Sequence, residues 1–132
     1  PALLTPLNKL LYQLDPEALP LTEEKLQNII TDPNSHLLLA FRGNFIVGTT
    51  LLIVINTLSL LKAQIEDVVV DSDFRGLGIG KALTDQAINI AVHRQAQLID
   101  LTSNPTRQAA HHLYKKTGFQ QRDTNVFRLK LN

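Results

Sequence analysis

Cysteine, methionine and tryptophan are all absent from these 132 residues. Without cysteine there can be no disulfide, no thiolate metal site and no cysteine nucleophile. An excess of one charge sign is missing too. Thirteen Lys and Arg stand against twelve Asp and Glu, a net charge of +1, and no dense basic tract marks a surface for nucleic acid. Long apolar runs are also lacking. A run such as Leu51 to Ile55, which none exceeds, falls far short of the roughly 18 residues of a membrane span. No signal-peptide pattern opens the chain, so the expectation is a cytoplasmic protein. The chain starts at Pro1 and not at a methionine, which reads as a processed or truncated N-terminus.

What is present suits one folded domain over residues 1–132. Hydrophobic residues make up 44% and charged residues 19%, enough apolar side chain for a core. Leu3, Leu4, Leu7, Leu11 and Leu14 recur at helical spacing. Thr5-Pro6 could cap and begin that helix, or Pro1 could start it a turn earlier. A second helix follows Thr22 as N-cap, with Leu21 and Leu26 able to staple its entry. Strand-like runs cover 36–41 and 45–57, separated by the turn residues Arg42-Gly43-Asn44. A third covers 63–71. The period then turns helical over 78–93, followed by a strand at 98–102 and a helix over 106–116 closed by Gly118. Alternation over 126–131 predicts a last strand. The order is ααβββαβαβ, a mixed α/β domain without repeats.

The most telling stretch is IEDVVVDSDFRGLGIG at 65–80, a strand leading through Arg75-Gly76-Leu77-Gly78-Ile79-Gly80 into a helix. Bare backbone N–H groups at such a helix start bind phosphate or pyrophosphate. The P-loop pattern does not fit, because Arg75 stands at its first glycine and Ala82 at its Ser/Thr. The dinucleotide fingerprint fails at Lys81, which replaces its third glycine. R-x-x-G-x-G fits at Arg75, Gly78 and Gly80.

That turn, within IEDVVVDSDFRGLGIGKAL, resembles the central motif of the GNAT N-acetyltransferase family. LTSNPTRQAAHHLYKKTGF is similar to the family's next motif, with Asn104, Ala110, Tyr114 and Gly118-Phe119 at the expected spacing. The resemblance implies an acyl-CoA N-acyltransferase fold, a mostly antiparallel sheet flanked by helices. It implies acetyl-CoA as co-substrate, its pyrophosphate on Arg75, Gly76, Leu77, Gly78, Ile79, Gly80 and Lys81. It places the pantetheine arm along Val68, Val69 and Val70, with Asn104 beside the arm and Lys116 near the 3′-phosphate.

Amide formation needs a base for the amine, whose free pKa is about 10, and an acid for the departing thiolate. The family places a tyrosine beside the acetyl-CoA sulfur, which makes Tyr114 the candidate acid; otherwise it is a half-buried core residue. Glu66 is the candidate base; otherwise it is a carboxylate satisfied by solvent. Strict alternation would put residues 66, 68 and 70 on one face and Asp67 on the other, as a structural residue or a substrate contact. No metal is expected. His111 and His112 point about 100° apart on a helix and cannot share an ion from one face.

The family ordinarily opens with a strand, whereas this chain opens in helical pattern. The sheet edge so exposed invites association, so a homodimer or a partner's strand is expected to cover it. The functional expectation is acetyl transfer to a small-molecule amine, with neither nucleic acid nor membrane as partner. The alternatives are a non-catalytic acyl-CoA sensor and a protein or peptide acetyltransferase.

Overall fold

Leucine spacing builds the first element. In the computed structural model, which describes residues 2–132, helix α1 (Leu4–Leu14) buries Leu7 and Leu10. It begins before the expected Thr5-Pro6 cap. Pro6 lies in the first turn, where its missing N–H leaves no helical bond unmade. The other expected start, at Pro1, lies outside the described residues. Helix α2 (Glu23–Thr31) is capped as expected, Lys25 N donating to Thr22 Oγ1 at 3.2 Å. Glu23 and Glu24 sit in its first turn, where the helix dipole favours negative charge.

Four strands follow the apolar runs: β1 (Ser35–Arg42), β2 (Phe45–Asn56), β3 (Leu61–Val70) and β4 (Ile99–Leu101). They form one sheet in the order β1-β2-β3-β4. The first three are antiparallel and β4 is parallel to β3. Gly43, at φ +59°, makes the tight β1–β2 turn that a side chain would strain. β2 is the spine of the core, with Val47, Leu52 and Val54 buried against Ala63, Ile65 and Val69 of β3.

β1 forms one edge of the sheet. Val54 N donates to Asn34 O at 2.8 Å. Antiparallel bonding alternates along a strand, so Asn34, His36 and Leu38 turn their backbone groups toward β2. Ser35, Leu37 and Leu39 turn theirs to the open edge.

Helix α3 (Ile79–His93) crosses one face and buries Leu83, Thr84, Ala87 and Ala91. Gly48 permits that close approach. A Cβ there would meet Ile79 Cγ2 at 3.1 Å and Leu83 Cδ1 at 3.2 Å. The far end of α3 is tied down by Arg94, which donates to Pro33 O and Asn34 Oδ1 at 2.9 Å and lies 2.6 Å from His36 Nε2. Burial, and then the Arg94 charge, hold the His36 pKa below its ordinary value, favouring the neutral ring that can accept this bond.

Residues through Thr102 form one compact unit and Ser103–Asn132 a second. The second contains helix α4 (Gln108–Thr117), closed by left-handed Gly118 at φ +115°. The expected last strand over 126–131 does not form. Val126, Phe127, Leu129 and Leu131 are 74–90% exposed. An alternating pattern says which face a strand would bury; it does not supply the neighbour whose hydrogen bonds make a strand. The order is therefore ααβββαβα.

Candidate active site

The first feature of the site is a fork in the sheet. β3 pairs with β2 as far as Val70, but with β4 only over Ala63, Gln64 and Ile65. From Glu66 to Val70 no β4 residue pairs with it, so Val68, Val69 and Val70 lie along an edge without a β4 partner, where the Val70 carbonyl accepts from Arg75 Nε at 3.2 Å. Main-chain groups there are available to an extended ligand that binds as an added strand would.

A bulge lies at the vertex. Glu66 pairs with Leu51 and Val69 with Thr49, so three steps along β3 oppose two along β2. The bulge residue is Asp67, at φ +56°, an uncommon left-handed conformation for a residue with a side chain. The strict alternation expected from the sequence is thereby overturned. Glu66 shares a face with Val69 and not with Val68 or Val70, because the extra residue shifts the phase. Thr50 Oγ1 donates to Glu66 O at 3.0 Å and steadies the bulge. Gly48 faces α3 and Leu51, three residues on, faces away from it, so Glu66 also points away from α3.

The Glu66 carboxylate is half-buried and accepts from Gln64 Nε2 at 2.6 Å. Beside it, Asp67 is exposed, yet protein crowds it enough that desolvation raises its pKa. The Glu66 charge raises it further, and Lys25 of α2 opposes both. Sequence reasoning set Asp67 on the opposite face, as a structural residue or a substrate contact, because a bulge is not visible in the alternation of a strand.

At the other end of the open edge, β3 runs through Asp71 and a single 3-10 turn (Ser72–Phe74) into the glycine turn. Gly76 and Gly78 both adopt left-handed φ, +80° and +81°. Gly78 is the N-cap of α3, and no side chain caps that helix. No acidic residue lies in its first turn, so its positive end is not neutralised locally. Arg75 is exposed and donates from Nε to Val70 O at 3.2 Å, folding back onto the end of the strand. Leu77 is 56% exposed at the crest of the turn. Ile79 and Gly80 open the helix. Lys81 is exposed and paired with Asp85 at 2.6 Å, so part of its charge is already engaged.

A clasp from α1 holds this turn. Asp71 is buried and accepts from Asp73 N at 3.1 Å, with Lys9 Nζ at 3.5 Å. The Asp73 backbone bond, with help from Lys9 and Gln13, keeps its carboxyl below the ordinary range despite burial. One residue on, Ser72 N donates to Gln13 Oε1 at 2.9 Å. Lys9 and Gln13 are four apart and so share a helix face.

The remaining expected site residues belong to the second unit. Tyr114 is 6% exposed, with its ring edge-on to Phe119 at 5.9 Å between centroids. Burial raises the phenol pKa and Arg107 partly opposes this. Asn104 is exposed, and its Oδ1 accepts from Thr106 N at 3.0 Å and Thr106 Oγ1 at 2.8 Å. That oxygen shapes the approach to α4, leaving the amide nitrogen for other contacts. Lys116 is exposed in the last turn of α4. Among the described residues no group of three His, Asp or Glu is placed to hold a metal.

Residues 5–119 match the family described as the acetyltransferase (GNAT) family. The aminoalkylphosphonate N-acetyltransferase of Salmonella typhimurium is 33% identical over 94 residues, 70% of this chain and 61% of that protein. An uncharacterized N-acetyltransferase of Methanocaldococcus jannaschii is 38% identical over 61 residues, 46% of this chain and 27% of its own length. The chain thus spans less than two thirds of these curated relatives. An acetyltransferase structure from Trypanosoma brucei superposes with a TM-score of 0.76 at 29% identity, covering 97% of this chain and 92% of that one. A forked sheet, a bare glycine-rich helix start beside it and a match across most of the sequence agree, and the chain belongs to the GNAT acetyltransferase family.

Proposed function

We propose that this chain transfers an acetyl group from acetyl-CoA to the primary amine of a small molecule, its two units working as one domain in the cytoplasm. The observation that carries this reading is the open edge of β3 ending at the uncapped glycine turn. It has the two recognition elements that acetyl-CoA requires, a strand edge for the amides of the pantetheine arm and backbone N–H groups for the pyrophosphate. The donor supplies the activated acyl group. The chain's own residues bind, orient and move protons. Gly76 to Lys81 hold the pyrophosphate, with Arg75 adding charge. Val68 to Val70 align the arm, Asn104 contacts it through its amide nitrogen, and Lys116 reaches the 3′-phosphate. Glu66 takes the amine proton, directly or through a water, with Asp67 beside it. Tyr114 gives a proton to the departing thiolate.

The acceptor class rests on chemistry near the vertex. Glu66 and Asp67 are adjacent carboxylates suited to an alkylammonium group, which favours a small cationic amine over a sensor role. Support for a small acceptor also comes from the aminoalkylphosphonate enzyme, which acts on an amine of that size. Free-thiol release from acetyl-CoA, measured against separate pools of polyamines, amino sugars, aminophosphonates, amino acids and peptides, tests the reading. The protein has no cysteine and contributes no background. Release with one small-amine pool is the expected outcome. Release with peptides alone would favour protein acetylation, and binding without release in any pool would favour the sensor.

A second copy of the chain covers the open β1 edge in this reading. Beside that edge lies an apolar recess of about 320 Å³ lined by Leu38, Ala40, Ile79 and Leu83 among others, and Phe41 is 55% exposed. β1 has neither proline nor lysine to discourage pairing. Sedimentation is expected to give a dimer. Leu39→Pro removes an outward N–H without breaking a bond to β2, and is expected to give a monomer. A monomeric wild-type protein would overturn the dimer and leave the transferase reading intact.

A further inference from the structure

The four residues that lead toward the glycine turn have every backbone N–H bonded. Asp71 N donates to Val47 O of β2 at 2.8 Å and Phe74 N to Asp71 O at 2.9 Å. Asp73 N donates to Asp71 Oδ1 at 3.1 Å, and Ser72 N to Gln13 Oε1 of α1 at 2.9 Å. The pattern then changes. Among the described residues, no acceptor takes the backbone N–H groups of Gly76 to Lys81. A stitched segment therefore ends just before a row of unengaged donors begins.

Three of the four bonds tie the segment to itself or to β2, the strand already paired with β3. The fourth comes from elsewhere. Gln13 is 59 residues away from Ser72 in sequence. It sits half-buried in the last turn of α1, three residues beyond the buried Leu10. Lys9 adds a contact from the same helix face, but it is 67% exposed, and a solvated charge fixes a position weakly. The bond from Ser72 to Gln13 is thus the directed link between α1 and the approach to the turn. Donors that must all meet one ligand depend on the orientation of the segment that carries them.

We infer that Gln13 is a positioning residue for acetyl-CoA binding, its bond to Ser72 N setting the orientation in which the N–H groups of Gly76 to Lys81 meet the pyrophosphate. This rests on the acetyl-CoA reading above. Gln13 acts through the turn, one element removed from the ligand. Sequence reasoning passed over it, because a polar residue in an amphipathic helix reads as solvent-facing until the fold lays α1 against the turn.

Gln13→Met tests this with two readouts. Methionine is unbranched like glutamine, has a similar helix propensity and offers no oxygen, so α1 should be retained. In the ligand-free variant the amide NMR signals of Gly76, Gly78 and Gly80 should move, while that of Gly43 in the β1–β2 turn stays in place. By titration calorimetry, Kd for acetyl-CoA should rise about three- to ten-fold, the range of one lost neutral hydrogen bond. Wild-type affinity in the variant would overturn the role. Weaker binding with the three glycine signals unmoved would overturn it too, since the loss would then not act through the turn. Absence of acetyl-CoA binding in the wild type would remove the cofactor reading and this role together, whereas wild-type binding with an unaffected variant removes this role alone.

Discussion

Tyr114→Phe is expected to lower kcat by about ten-fold or more while leaving acetyl-CoA affinity nearly unchanged. Phenylalanine keeps the ring volume and the edge-on contact with Phe119 at 5.9 Å, so the loss is confined to the hydroxyl proton. Burial raises the phenol pKa against the partial opposition of Arg107, which keeps the group protonated through the neutral range. A free thiol has a pKa of about 8.5 and a free phenol about 10. Proton transfer from the phenol to the thiolate is therefore uphill once complete, and is useful only while the carbon–sulfur bond is breaking. The raised pKa also fixes the sign of the pH effect. This group should cause no fall in rate below its ordinary value of about 10, and any decline at lower pH must come from another residue. Steady-state kinetics of both proteins across pH, with calorimetry for binding, is the measurement. An unaltered kcat would remove Tyr114 from the chemistry.

Gly78→Ala should weaken acetyl-CoA binding by about ten-fold or more and spare the fold. At φ +81° an alanine costs roughly 1–2 kcal/mol of left-handed strain. A Cβ there would meet no protein atom within 4 Å, so nothing in the protein is displaced. In the proposed reading the pyrophosphate approaches the helix start through that open space, and a methyl group in it would hold the phosphates away from the N–H groups. The expected signature is a raised KM for acetyl-CoA with melting lowered by a few degrees at most, about what such strain implies for a chain of this size. Weaker binding with an intact fold separates a phosphate cradle from a turn that merely joins strand to helix. Unchanged binding would mean that the turn has no part in holding the ligand.

The glycine turn was legible because its determinants are local. Backbone N–H groups at a helix start need only a strand, a glycine turn and a helix in sequence, and Arg75 to Lys81 declare all three. The Thr22 cap and the Gly118 stop were equally readable, since each depends on a few neighbouring residues. The order of the first eight elements followed from the spacing of leucines and valines. By contrast, α1 starts at Leu4 and not at the Thr5-Pro6 pair, because proline is tolerated anywhere in the first turn.

The sequence by itself determined the family, the glycine turn between strand and helix and the residue types proposed for proton transfer, since these reside in contiguous stretches. Tertiary structure decided what depends on strands finding partners. Whether β3 and β4 diverge is set by where their pairing stops, at Ile65 and Leu101. Which face Glu66 shares is set by a bulge that arises only when β3 is laid against β2. The apolar alternation at 126–131 forms no strand, because period alone provides no hydrogen-bonding neighbour.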